Sequence, residues 1–231
     1  NKKSFSWAYY DKCKSACLWL TKFINSKTGF CPNLGANDGC FCYQLHTLDY
    51  PNYKPTIQLG FIVFFNKYVY KNGPWDEPLY WLGINKKDFS QIKLKSNNFE
   101  ILDKGGFAIM RRDPNFLAVM RIPKFKFRPS QADPLHLDLW LDGTNILRDG
   151  GSFSYSLKSK YLSYFSGIKS HNSAEFDGKE PMIKISRFLW GNWLNSNYQI
   201  ISKDIKSKNY YFESGYKFDY GKHKRKVIFN K

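Results

Sequence analysis

Apolar positions early in the chain recur at helical spacing, and past about Ser96 they recur at every second residue. Over residues 4–25, Trp7, Tyr10, Cys13, Cys17, Leu20 and Ile24 share one face, which predicts an amphipathic helix ended by Gly29. A second helix is predicted from about Lys54 to Tyr70. Pro55 stands in its first turn, where the missing N–H costs nothing, and Gln58, Phe61, Phe65 and Tyr68 mark the spacing. Between the two, residues 27–53 are rich in Gly, Asn, Asp and Pro and predict a long ordered loop, a kind of segment more often functional than idle. NGPWDEP (72–78) breaks the second helix, and Leu79–Leu82 predicts one short turn.

The alternating part contains FAIMRR (107–112), FLAVMRI (116–122), LHLDLWL (135–141), NILRD (145–149), NSAEF (172–176) and MIKISRFLW (182–190). Turn signals separate them: DPN (113–115), DGTN (142–145) and FDGKE (176–180). Many short strands at such spacing predict an antiparallel sandwich or large twisted sheets. The chain thus divides into a helical piece, 1–90, and a β piece, 91–231. In LHLDLWL the leucines fall on one face, and His136, Asp138 and Trp140 on the other, with same-face neighbours about 6.6 Å apart. Asp142-Gly143 is a strong hairpin signal with Asn145–Asp149 as the returning strand, so His136 and Asp138 read as scaffold.

Composition narrows the class. With 231 residues, 42% hydrophobic and 19% aromatic, the chain can bury a core and is not a disordered polymer. No apolar run approaches the roughly 20 residues that span a bilayer. The chain opens inside helix-like sequence without Met and stops inside strand-like sequence, the expectation for a fragment. The formal charge of +17, from 36 Lys+Arg against 19 Asp+Glu, fits polyanionic partners and equally a bias towards Lys spread over solvated faces. Only KHKRK (222–226) clusters, and no nucleic-acid-binding module is legible, so nucleic acid is the weaker choice. Cys13, Cys17, Cys31, Cys40 and Cys42 lack CxxC spacing and are odd in number, which predicts buried free thiols and a reducing compartment.

TGFCPNLGANDGC (28–40) with YPNYKPTIQLGF (50–61), followed by RPSQADPLHLDLWLDGTNILRDGGSFSY (128–155) and SHNSAEFDGKEPM (170–182), resembles the heparinase II/III-like polysaccharide lyases of bacterial exopolysaccharide or lipopolysaccharide loci. The resemblance implies an α+β chain: the last helices of an (α/α)-toroid followed by an antiparallel β-sandwich, truncated at both ends. It also implies β-elimination on an acidic, uronate-containing polysaccharide, in which an Asn group neutralises the carboxylate, a His or Tyr takes the C5 proton and a Tyr protonates the leaving oxygen. The Asn-His pair and the Tyr of that pattern lie earlier in the toroid, so the fragment alone is expected to be inactive without the preceding toroid. The alternative is a non-catalytic carbohydrate-binding or scaffold protein. Localisation stays open, because the thiols favour the cytoplasm and such lyases are often periplasmic.

The resemblance also implies the site. His171, of the His171-Asn172 pair, is the catalytic candidate, a side chain whose pKa lies near neutrality. Asp149 and His171 are the expected ligands of a structural zinc. Gln131, in Gln131-Ala132-Asp133, stands where the His of a His-x-Asp is expected, and a neutral amide is a poor zinc ligand. Arg128 could pair with a uronate carboxylate through its planar fork. Asn33, Asn37 and Asp38, beside Gly35 and Gly39, would shape a loop that lines the sugar cleft. Trp75, Trp81, Trp140 and Trp190 are candidates for stacking on sugar rings or for plain core packing.

Overall fold

The computed structural model describes residues 5–37, 39–112, 114–126, 128–156, 158–196, 198–203 and 209–229. Chain contacts divide it into two compact units: residues 1–31 with 39–96, and residues 32–38 with 97–231.

In the first unit, α1 (Trp7–Leu20) begins at Ser6, whose side chain accepts from the Tyr9 N–H. It is shorter than its periodicity predicts and ends well before Gly29, which instead has φ 85. None of its side chains is buried. Gly60 of α2 (Lys54–Phe65) lets the two helices approach, because a Cβ there would come within 2.6 Å of the Cys17 sulfur. Helix α2 stops at Phe65 rather than Tyr70: Asn66 takes a left-handed conformation, and β1 (Lys67–Tyr68) pairs in parallel with β2 (Ser90–Gln91). Buried Gln58 holds that exit, accepting from the Val69 and Tyr70 N–H groups at 3.0 Å and donating to Asp76 at 2.6 Å. α3 (Glu77–Trp81) follows, close to the expected turn.

The second unit is built on a five-stranded antiparallel sheet in sequential order. It comprises β3 (Phe99–Leu102), β4 (Phe107–Arg112), β5 (Phe116–Arg121), β6 (Leu137–Leu141) and β7 (Thr144–Leu147). The expected β6–β7 hairpin forms, with Asp142 at φ 49 and Gly143 at φ 89 as two-residue turn centres need. NSAEF is not a strand; only Phe176 makes an isolated bridge. MIKISRFLW folds back as the hairpin β8 (Ile183–Ser186) and β9 (Leu189–Gly191). Helix α4 (Ser159–Ser166) stands between, its eight residues too short to show in the pattern. A three-stranded sheet closes the unit: β10 (Tyr198–Lys203), β11 (Tyr210–Phe218) and β12 (Gly221–Phe229).

The sheets form a sandwich. Ala108 and Met120 of the larger sheet and Phe212 and Tyr216 of the smaller one share a core with Ile122, Leu135 and Trp190. Phe116 stacks on Phe229 at 4.9 Å. Among the described residues no helix is long and apolar enough to cross a membrane. The five thiols are free, but only Cys31 is buried, and Cys40 and Cys42 are exposed, against the expectation of buried thiols.

Candidate active site: a buried His–Asp–His cluster

The alternation of LHLDLWL is real, but its polar face is the better buried one. Register pairs Met120 with Leu137 and Ala118 with Leu139, placing those leucines on the sandwich face. Asp138 and Trp140 pair with Val119 and Leu117 on the opposite face, and all four side chains are buried. The Trp140 indole donates to Asp138 Oδ1 and Asn145 donates to Oδ2 at 3.4 Å. His136 precedes the strand on the same face, also buried. Trp140 and Trp190 are core residues, while Trp81 is exposed.

Asp149, just past β7, draws three chain segments together. Its Oδ1 accepts from the Gly151 N–H at 2.7 Å, and its Oδ2 lies 3.3 Å from His171 Nε2 and 3.8 Å from His136 Nε2. The imidazoles meet edge to face at 5.5 Å. Asn172 stitches the cluster: its N–H donates to His136 Nδ1 at 3.0 Å, and its amide donates to the Leu137 and Arg148 carbonyls. Gly151 has φ 71, and a Cβ there would overlap the Asn33 amide. Gln131 donates weakly to the Gly151 carbonyl at 3.5 Å.

Of the expected site residues, Asn33, Gln131, Asp149 and His171 therefore come together around Gly151. The structure shows the surroundings of these, of Asn37 and of Arg128. His171 has 0% of its side-chain surface exposed, with Nδ1 2.7 Å from the Gly167 carbonyl, so it is not placed to take a proton from a polymer. Gln131 is buried as well. The Asn37 backbone N–H donates to the Gly35 carbonyl at 2.9 Å. Arg128 is exposed at a positive φ of 57 and makes no ion pair among the described residues. Asp38 lies outside the described residues. Asp133 pairs with Arg121 at 3.6 Å.

His136 is the member that sequence reasoning missed. A His and an Asp two residues apart on a strand, ahead of an Asp-Gly turn, was the available signal, and strand alternation assigned it to the scaffold. The cluster raises the zinc expectation, and the ring nitrogens decide it. His171 and Asp149 suit a metal: Nδ1–H donates to a carbonyl and leaves Nε2 facing the carboxylate. His136 does not, because its Nδ1 accepts a backbone N–H, so the neutral ring carries its proton on Nε2 and has no lone pair to offer there. Among the described residues no group of three or more His, Cys, Asp and Glu could hold a metal ion. The residues as arranged do not fit zinc.

A proton fits instead. Burial alone would pull the His171 pKa down, but the facing Asp149 carboxylate, with smaller help from Asp133 and the Gly167 carbonyl, raises it above the ordinary histidine value. The cluster is a buried imidazole–carboxylate pair with a second imidazole at its edge.

The sandwich topology is shared with known proteins at the level of sequence family and fold. A sequence model of the heparinase II/III-like C-terminal domain matches residues 95–231. The chain belongs to the heparinase II/III-like family. Heparan sulfate lyase HepC from Pedobacter heparinus has the same fold, with TM-score 0.62 at 16% identity over 98% of this chain and 31% of that one. The heparinase III product BT4657 superposes at 0.63 and 16% identity, with the same coverage of 98% and 31%. Another heparinase III superposes at 0.58 and 12% identity, over 97% of this chain and 33% of its own length. This member of the family thus spans about a third of the length of the solved structures it resembles. A comparison with curated protein sequences gives no match.

Proposed function

We propose that this chain is the C-terminal part of a polysaccharide lyase acting on acidic, uronate-containing polysaccharide by β-elimination, with residues 1–90 closing an (α/α)-toroid and 91–231 forming the sandwich. The observation that carries the reading is the match of residues 95–231 to the heparinase II/III-like C-terminal domain. The His–Asp–His cluster adds a fixed corner that joins the otherwise separate segments at Asn33, Gln131, Asp149 and His171.

In this mechanism His171 and Asp149 are positioning residues rather than proton carriers to substrate. They hold the Gly151 backbone, and through it Asn33, in place. Arg128, exposed and unpaired among the described residues, supplies the cation that meets a uronate carboxylate, lowering the energy of the carbanion formed when the C5 proton leaves. The base and the acid come from an Asn-His pair and a Tyr in the toroid, so the 231 residues alone do not complete the reaction. No step runs through a metal.

The test incubates the 231-residue chain, and any longer natural polypeptide containing it, with glucuronate- and mannuronate-rich polymers. The expected result is ultraviolet absorbance from 4,5-unsaturated product with the longer polypeptide and none with the chain alone. A longer polypeptide that binds polymer but never yields that product would leave the second reading, a non-catalytic carbohydrate-binding or scaffold protein, which the burial of His171 and Gln131 favours.

A further inference from the structure

We propose that the sandwich carries a second, accessory site, which takes a short segment of acidic oligosaccharide in the cavity beside the turn between β11 and β12. The cavity holds about 310 Å3, at the small end of ligand pockets, which run from about 300 to 1,000 Å3. It shares no lining residue with the His–Asp–His cluster. Trp193, Tyr220, Asn192, Asn195, Lys217 and Asp219 carry the argument.

Two aromatic platforms are set out for contact. Trp193 and Tyr220 are 41% and 63% exposed, although nothing in strand packing requires large rings in solvent there. Trp193 is not loose: its indole N–H donates to the carbonyl of Trp190, which is itself anchored in the core. Rings so held present an apolar face to the C–H face of a pyranose. Asn192 and Asn195 supply amides, each able to donate and accept, as sugar hydroxyls require.

Charge sets the class of sugar. Lys217 stands directly opposite Lys222 across β11 and β12, a like-charge pair that destabilises the hairpin unless an anion joins it. Neither lysine has a carboxylate partner among the described residues. Lys179 sits 4.4 Å over the Tyr220 ring. Two carboxylates line the cavity, exposed Asp219 and half-buried Glu180, which accepts from the Ile168 N–H, and Lys217 lines it too, with Lys179 and Lys222 beside it. Aromatic faces, amides and ammonium groups together match a hexuronate better than a neutral hexose. No arginine lines the cavity to grip a phosphate by its fork. The choice of saccharide rests on the lyase reading above.

Calorimetric titration of the 231-residue chain with tetraglucuronate, cellotetraose and an oligothymidylate tests the site. Tetraglucuronate is expected to bind. Tyr220→Ala, and separately the Lys217→Gln/Lys222→Gln pair, are expected to weaken it about tenfold, the lysine variant also flattening the salt dependence. Both variants change exposed side chains, and an unchanged melting temperature shows that each remains folded. The proposal is overturned by wild-type affinity in both variants, by absence of tetraglucuronate binding, by equal binding of cellotetraose, or by tighter binding of oligothymidylate. A loss that follows Arg128→Gln and spares Tyr220→Ala would place the sugar at Arg128, ending this proposal while leaving the lyase reading intact. The cleavage assay decides that reading separately.

Discussion

Asp149 uses one oxygen to hold a backbone N–H and the other to face two imidazoles, so removing it strands three groups at once. Asp149→Ala is expected to cost about 3–5 kcal/mol in chemical denaturation, the usual penalty for leaving a buried charge without its partner. The cluster also predicts a pH response. The folded chain holds the His171 proton more tightly than the unfolded one, so the contribution is full below about pH 6.5 and is lost as pH rises through the higher folded-state pKa. The melting temperature of the wild type should fall over that interval, and His171→Gln should flatten the curve. A wild-type curve no steeper than that of the variant would remove the imidazolium from the site. Gly151→Ala meets both a left-handed backbone and the Asn33 amide and should destabilise by more than the roughly 1–2 kcal/mol of the backbone term alone. Asp149 and His171 were legible in sequence because short motifs mark them. His136 was not, because period-two spacing says which residues share a face and not which face is covered.

At the scale of elements, the hairpins and the two long helices follow from turn chemistry and period, and their ends follow from interactions that spacing does not contain. Asn66 ends α2 in a left-handed conformation, and Gln58, twelve residues before Tyr70, receives the chain that periodicity had carried into the helix. Strands β10–β12 were hard to read for another reason. Lys222, Lys224 and Lys226 occupy the exposed positions of β12, so the segment reads as a charge cluster although its inward residues, His223, Val227 and Phe229, are covered. Lysines along an edge strand also block pairing with other chains. The Asp142-Gly143 turn carries a measurable expectation: Gly143→Ala, at φ 89, should destabilise by about 1–2 kcal/mol, whereas Asp142→Asn should be nearly neutral. Thermal unfolding of both variants checks the difference, and equal stabilities would mean that the strands set the turn.

For the whole molecule, helix-then-sandwich organisation was visible in the change of period near residue 96, and the family in a few glycine- and aspartate-rich segments. The zinc expectation came from the same segments and turns on one backbone N–H that no sequence displays. Metal analysis of the purified protein should find well under one zinc per chain, and chelation should leave the melting temperature unchanged. Stoichiometric zinc would require the His136 ring to give up its bond from Asn172. The charge of +17 acts at this scale as well: retention on heparin should collapse at moderate salt, while the saccharide contacts of the accessory cavity, being partly apolar, should persist.

Residues 32–38 belong with the sandwich although their neighbours on both sides belong with the helices. The Ala36 carbonyl accepts from the Tyr155 hydroxyl, and Asn33 packs on Gly151. The sandwich is therefore not a contiguous module in the gene. A recombination event that lifted out residues 97–231 alone would leave behind seven residues that belong to the same folded body. The two units are thus expected to be inherited together, and circular permutation or domain shuffling at residue 96 should be selected against.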